Sequence, residues 1–93
     1  MTSGQIIDIS KPVLAKYGVV KSDLFGSFAR GDYDDQSDID LLVDVPQGTS
    51  LFDLIYLKED LEKALNRSVD VVTYRSINKH VRKYIFANTR KVL

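Results

Sequence analysis

Two aspartates one residue apart, Asp38 and Asp40, run directly into the apolar stretch Leu41-Leu42-Val43. Side chains alternate along a strand, so a strand carrying this pair presents both carboxylates on one face, with Cα atoms about 6.5 Å apart. Carboxylates placed beside a core repel one another and lose water, and a divalent cation between them relieves both penalties. Oxygen-only ligation selects hard ions such as Mg²⁺, which keep several waters and also take substrate phosphates as ligands. Two such ions roughly 3.5–4 Å apart stabilise the attacking and leaving oxygens of an in-line displacement. Asp70, the one acid inside the apolar strand Val69-Asp70-Val71-Val72, is the candidate third carboxylate. The pair also admits a plainer reading, in which Asp38 ends the strand and Asp40 pairs with a base such as Arg30.

Upstream lies the turn Leu24-Phe25-Gly26-Ser27. Glycine at a strand end lets backbone approach a ligand closely, and serine opening a helix offers a hydroxyl, N–H groups and the positive end of a dipole. This suits a phosphate, although Gly-Ser turns are also common as plain turns. No G-x-x-x-x-G-K loop occurs.

These residues need elements to hold them. Ile6, Ile7, Ile9, Val13, Leu14 and Tyr17 recur at helical spacing, with Gly18 as the glycine beyond the last turn. Pro12 makes this one kinked helix or two pieces joined near Ser10. Val19 to Phe25 reads as a first strand, Ser27 as the cap of a short turn through Arg30, and Asp38 to Val45 as a second strand stopped by Pro46 and Gly48. Ser50 opens a helix whose apolar side is Leu51, Leu54, Ile55, Leu57, Leu61 and Leu65. Val69 to Thr73 is a third strand, and Ile77, Val81, Tyr84, Ile85 and Val92 mark a basic C-terminal helix with His80 on its wet face. The order helix, strand, strand, helix, strand, helix predicts one α/β (α+β) domain over residues 1–93, a small mixed sheet of three or more strands flanked by helices.

The chain has 93 residues, 13 basic and 13 acidic, no cysteine and a formal net charge of zero. Bulk attraction to nucleic acid or an anionic membrane is therefore not expected. Charge is nonetheless polarised: Asp32 to Asp44 holds six acids and no Lys or Arg, whereas Arg75 onward holds six basic residues and no acid. That basic face reads as solvated surface or as a dock for an acidic partner or RNA. Lack of cysteine removes disulfides and thiolate metal sites and fits a reducing cytoplasm. No signal peptide or membrane span is visible.

Phe25-Gly26-Ser27-Phe28-Ala29-Arg30-Gly31, then Ser37-Asp38-Ile39-Asp40-Leu41-Leu42-Val43, then Val69-Asp70-Val71-Val72 resemble the minimal nucleotidyltransferases of the DNA polymerase β superfamily. Ten residues separate Ser27 from Asp38, and the likeness runs from about Tyr17 to Tyr74. The resemblance implies a polymerase-β-like palm that moves a nucleoside monophosphate from a triphosphate to a hydroxyl with release of pyrophosphate. It assigns Asp38, Asp40 and Asp70 to catalysis and to two Mg²⁺ ions, and Gly26, Ser27 and Arg30 to the triphosphate of ATP. Arg30 could equally pair with Asp32 or Asp34. Asp70 would ligate the ion that activates the acceptor and take its proton.

A palm needs walls for base and acceptor, and no residues remain here to build them. In the minimal family this fits a helical HEPN-domain toxin as partner, with the chain as antitoxin adding AMP to it, the expected acceptor being a tyrosine hydroxyl. Two other classes stay open. One is an antitoxin that neutralises by binding alone; the other is a nucleotidyltransferase acting on a small molecule or nucleic acid. Base preference is not legible, and homo-oligomers are left open by the apolar strip between Ile77 and Val92.

Overall fold

The computed structural model describes residues 1–93. Helix α1 spans Ser3–Lys16 and is capped at both ends. Thr2 Oγ1 accepts from the Gln5 N–H at 3.2 Å while Gln5 Oε1 accepts from the Thr2 N–H at 2.8 Å, a reciprocal capping box. At the far end the Gly18 N–H reaches the Ala15 carbonyl and the Val19 N–H the Leu14 carbonyl, with Gly18 at φ +75°, a Schellman closure. Pro12 does not split the helix. The carbonyl it leaves without a helical partner belongs to Asp8, which is exposed and can bond water.

Strand β1 (Lys21–Phe25), the single turn α2 (Ser27–Arg30), β2 (Ile39–Asp44), α3 (Leu51–Leu65) and β3 (Val69–Thr73) follow. A 3₁₀ turn at Tyr74–Ser76, the short helix α4 (Arg82–Phe86) and β4 (Arg90–Lys91) complete the chain. The sheet runs β3-β2-β1-β4, with β2 and β3 parallel and the other pairs antiparallel. Parallel neighbours require a crossover, and α3 supplies it. Ser50 caps α3 through a box with Asp53, as its position before the apolar run predicts.

Alternation along β2 divides the molecule. Ile39, Leu41 and Val43 enter the main core with Leu57, Leu61 and Leu65 of α3 and Ile6 and Leu14 of α1, all essentially inaccessible to solvent. Each such side chain contributes about 1.5–3 kcal/mol relative to exposure. Asp40, Leu42 and Asp44 point to the opposite face, which is therefore the face available for chemistry.

Three expectations are corrected. The C-terminal helix is only five residues long, and the chain then extends: Val92, 3% exposed, donates its N–H to the Ser22 carbonyl beside β4 and joins the main core. His80 accordingly lies in a turn, its N–H bonded to Asn78 Oδ1, and not on a helix. On α3, Leu51 and Ile55 face solvent, because the fully buried stripe is Leu57, Leu61 and Leu65, each four residues from the next. No helix is long and apolar enough to cross a membrane.

Candidate active site

The register of β2 and β3 decides where the acids meet. Asp40 and Asp70 are Cα partners across the parallel pair, and Phe25 faces Asp40 from β1. Asp38 lies just ahead of β2, two positions from Asp40, in exposed chain. Its approach is built by Asp34, whose Oδ1 accepts from the Gln36 N–H at 2.8 Å and whose own N–H donates to Ser37 Oγ at 2.9 Å. The ladder then begins with the Ile39 N–H on the Ser68 carbonyl at 2.9 Å.

Asp40 is half-buried, and its carboxyl is pushed up to about 6, first by loss of water, then by the charge of Asp70, a hydrogen bond with Asp70 and the charge of Asp38; Arg30 acts in the opposite sense. After loss of water, the causes that raise it are Asp70 and Asp38, so Asp40 feels both of the other acids. The three do not by themselves close into a ligand set around one point. Their chemistry fits a hard cation nonetheless: donors are all oxygen, ionisation of Asp40 is resisted by the other two, and a bound ion would lift that resistance.

Gly26 adjoins the same carboxylate. Its φ of +70° and ψ of −153° form a conformation essentially restricted to glycine, and a Cβ there would collide with Oδ2 of Asp40. Gly26 rather than Ser27 is the N-cap of α2; its carbonyl accepts from Ala29 and Arg30 at 3.1 and 3.0 Å, and Ser27 is the first helical residue. The opening N–H groups of that turn have no acceptor within it. Arg30 leaves the turn and pairs with Asp32 at 3.2 Å, both side chains half or more exposed. Beyond Gly26 a cleft of about 240 Å³ runs between Phe25, Gly26 and Arg30 on one side and Val81, Tyr84, Ile85 and Asn88 on the other.

Two features escape a reading of motifs. The Tyr74 hydroxyl donates to Asp23 Oδ2 at 2.5 Å, and its ring lies parallel to Phe86 with centroids 6.1 Å apart, which ties the chain after β3 across the acid-bearing face. Burial and Asp23 together hold the Tyr74 phenol well above its ordinary range. The other is Arg67, whose guanidinium reaches back to the loop before Asp38. Neither partner is near in sequence, so no local pattern marks the contact.

Against known proteins, residues 6–92 match the nucleotidyltransferase domain family. A Methanocaldococcus jannaschii protein provisionally named a protein adenylyltransferase is 44% identical over 82 residues, covering 88% of each chain. Protein adenylyltransferase MntA of Thermococcus cleftensis is 36% identical over 75 residues, 81% of this chain and 76% of that one. Among solved structures, a provisionally named minimal nucleotidyltransferase superposes with a TM-score of 0.82 at 32% identity, covering 97% of this chain and 95% of its own. An MNT antitoxin in complex with the tri-AMPylated HEPN toxin of Shewanella oneidensis shares the fold, with a TM-score of 0.65, 22% identity and coverage of 97% and 67%.

Proposed function

The chain belongs to the nucleotidyltransferase domain family and is a nucleotidyltransferase, and on that premise we propose that it transfers AMP from ATP to a tyrosine hydroxyl of a HEPN-domain toxin, acting as its antitoxin. The observation that carries this reading is the pairing of Asp40 with Asp70 next to the Gly26 turn. Relatives named protein adenylyltransferases and the AMPylated HEPN complex support the transferred group and the partner class.

In this reading the acceptor oxygen attacks the α-phosphorus of ATP, the bond from that phosphorus to the bridging oxygen breaks, and pyrophosphate leaves. Asp70 stands on the outermost strand, exposed, where an acceptor can come in from solvent, and it takes the acceptor's proton. Backbone N–H groups of the α2 turn and the Ser27 hydroxyl hold the phosphate tail, and Gly26 gives that tail room against Asp40. Arg30 exchanges its exposed partner Asp32 for a phosphate oxygen, placing positive charge where negative charge develops. Asp38, Asp40 and Asp70 would hold two Mg²⁺ ions, which when bound neutralise phosphate charge and acidify the acceptor hydroxyl.

The test is direct. The purified chain, a HEPN partner, Mg²⁺ and ATP labelled at the α-phosphate should yield label on a partner tyrosine, whereas Asp38→Ala and Asp40→Ala should yield none. Absence of label with wild type, or protection by Asp38→Ala equal to that by wild type, overturns the reading.

A further inference from the structure

Of the three acids, only Asp38 lies outside the strand ladder. Asp40 and Asp70 are placed by register, so their geometry follows from the sheet itself. Asp38 is placed by the loop that precedes it, and an exposed polar loop has no ladder of its own. We propose that Arg67 is a positioning residue that fixes this loop, and through it Asp38, for cation and nucleotide binding; the inference rests on the active-site reading above.

Arg67 Nη1 donates to three carbonyls of that loop: Ser37 at 2.9 Å, Asp35 at 3.3 Å and Asp34 at 3.4 Å. Three carbonyl oxygens converging on one point repel unless a cation sits among them, and a guanidinium supplies that charge without being able to lose it. The nearest carbonyl belongs to the residue immediately before Asp38. The guanidinium carbon also lies 5.3 Å from the ring centroid of Phe28, which is 1% exposed, and Phe28 stacks in turn on Tyr33 of the same loop at 4.4 Å. Tyr33 and Ser37 are thus both gripped from one side.

Arg67 itself is held at the start of β3. Ser68 accepts the first ladder bond of β2, and the Val69 N–H donates to Glu62 Oε2 at 3.0 Å. Three residues on is Asp70. Neither of the two ion pairs in the chain includes Arg67, so its charge is directed to the loop. One side chain therefore links the segment that presents Asp38 to the strand that presents Asp70.

The experiment compares wild type, Arg67→Met and Arg67→Lys. Calorimetric titration with AMP-PNP across a range of Mg²⁺ concentrations is expected to show half-saturation shifted upward by roughly 10- to 100-fold in Arg67→Met, the usual effect of losing a group that orients a ligand, with Arg67→Lys between the two. Amide hydrogen exchange should quicken at residues 34–38 and stay unchanged in β1 and α3. A folded Arg67→Met with wild-type Mg²⁺ dependence overturns the proposal, as does faster exchange spread evenly over the chain. If Arg67→Met does not fold, wild-type Mg²⁺ dependence in Arg67→Lys overturns it instead. Should wild type bind no AMP-PNP at any Mg²⁺ concentration, the active-site reading falls, and exchange confined to residues 34–38 still decides whether Arg67 holds the loop.

Discussion

Asp40 and Asp70 sit side by side on adjacent parallel strands, the first half-buried and the second exposed. In the absence of a cation this is an unfavourable arrangement. The Asp40 carboxyl rises from 3.8 to about 6, so the folded state holds its proton more tightly than the unfolded state does. Its stabilising contribution is complete below about pH 4 and is lost as pH climbs through about 6. In EDTA at pH 7.5, Asp40→Asn should therefore melt higher than wild type, by about 1 kcal/mol after allowance for solvent screening, or about 4–8 °C. The gap should close near pH 4. Equal melting temperatures at both pH values would contradict it.

Gly26→Ala and Gly31→Ala separate crowding from backbone strain. Both glycines have positive φ, +70° and +89°, but only at Gly26 does a Cβ meet the Asp40 carboxylate; at Gly31 nothing lies within 4 Å. Gly31→Ala should cost about 1 kcal/mol and leave nucleotide affinity intact. Gly26→Ala should cost about 1–3 kcal/mol from strain alone and weaken AMP-PNP binding by at least about ten-fold. Denaturant unfolding with calorimetry distinguishes the two.

Asp32→Asn and Arg30→Ala test the exposed pair. A surface ion pair of this kind contributes about 0–1 kcal/mol, so neither change should move the melting temperature by more than a few degrees. Label transfer should fall about 100-fold or more in Arg30→Ala and hold steady in Asp32→Asn. Equal transfer by the two variants would remove Arg30 from the phosphate site.

Tyr74→Phe deletes the donor to Asp23 while keeping the ring that lies against Phe86. Leaving the carboxylate unpartnered on a partly buried face should cost about 1–3 kcal/mol. Hydrogen exchange is expected to quicken from residue 77 to residue 91, the segment this bond ties down, and not in α3.

Local chemistry made much of this molecule readable in advance. The apolar run after Asp40 predicted a strand, and β2 is one, although it begins at Ile39 and leaves Asp38 ahead of it; Ser50 ahead of Leu51 predicted a cap, and it caps. Val69 to Thr73 was readable because β-branched residues cluster there. What escaped depends on distant partners. Residues 77–92 carry a helical spacing, yet Val92 is claimed by the Ser22 carbonyl seventy residues upstream, and a two-residue strand has no period to detect. The crowding that excludes a Cβ at position 26 comes from a carboxylate fourteen residues later. Arg67 sits in an unremarkable Asn-Arg-Ser turn, and only the fold brings loop carbonyls thirty residues earlier within its reach.

Strand β3 is one of the two margins of the sheet, with a neighbour on one side only. Unpaired margins invite other chains to add on, and charged side chains discourage them. Asp70 is the one charged side chain on that margin, and it is exposed. Neutralising it to make an inactive control strips the margin of its charge in the same stroke, so such a control should show more light scattering on storage than Asp38→Ala, whose change lies off the strand.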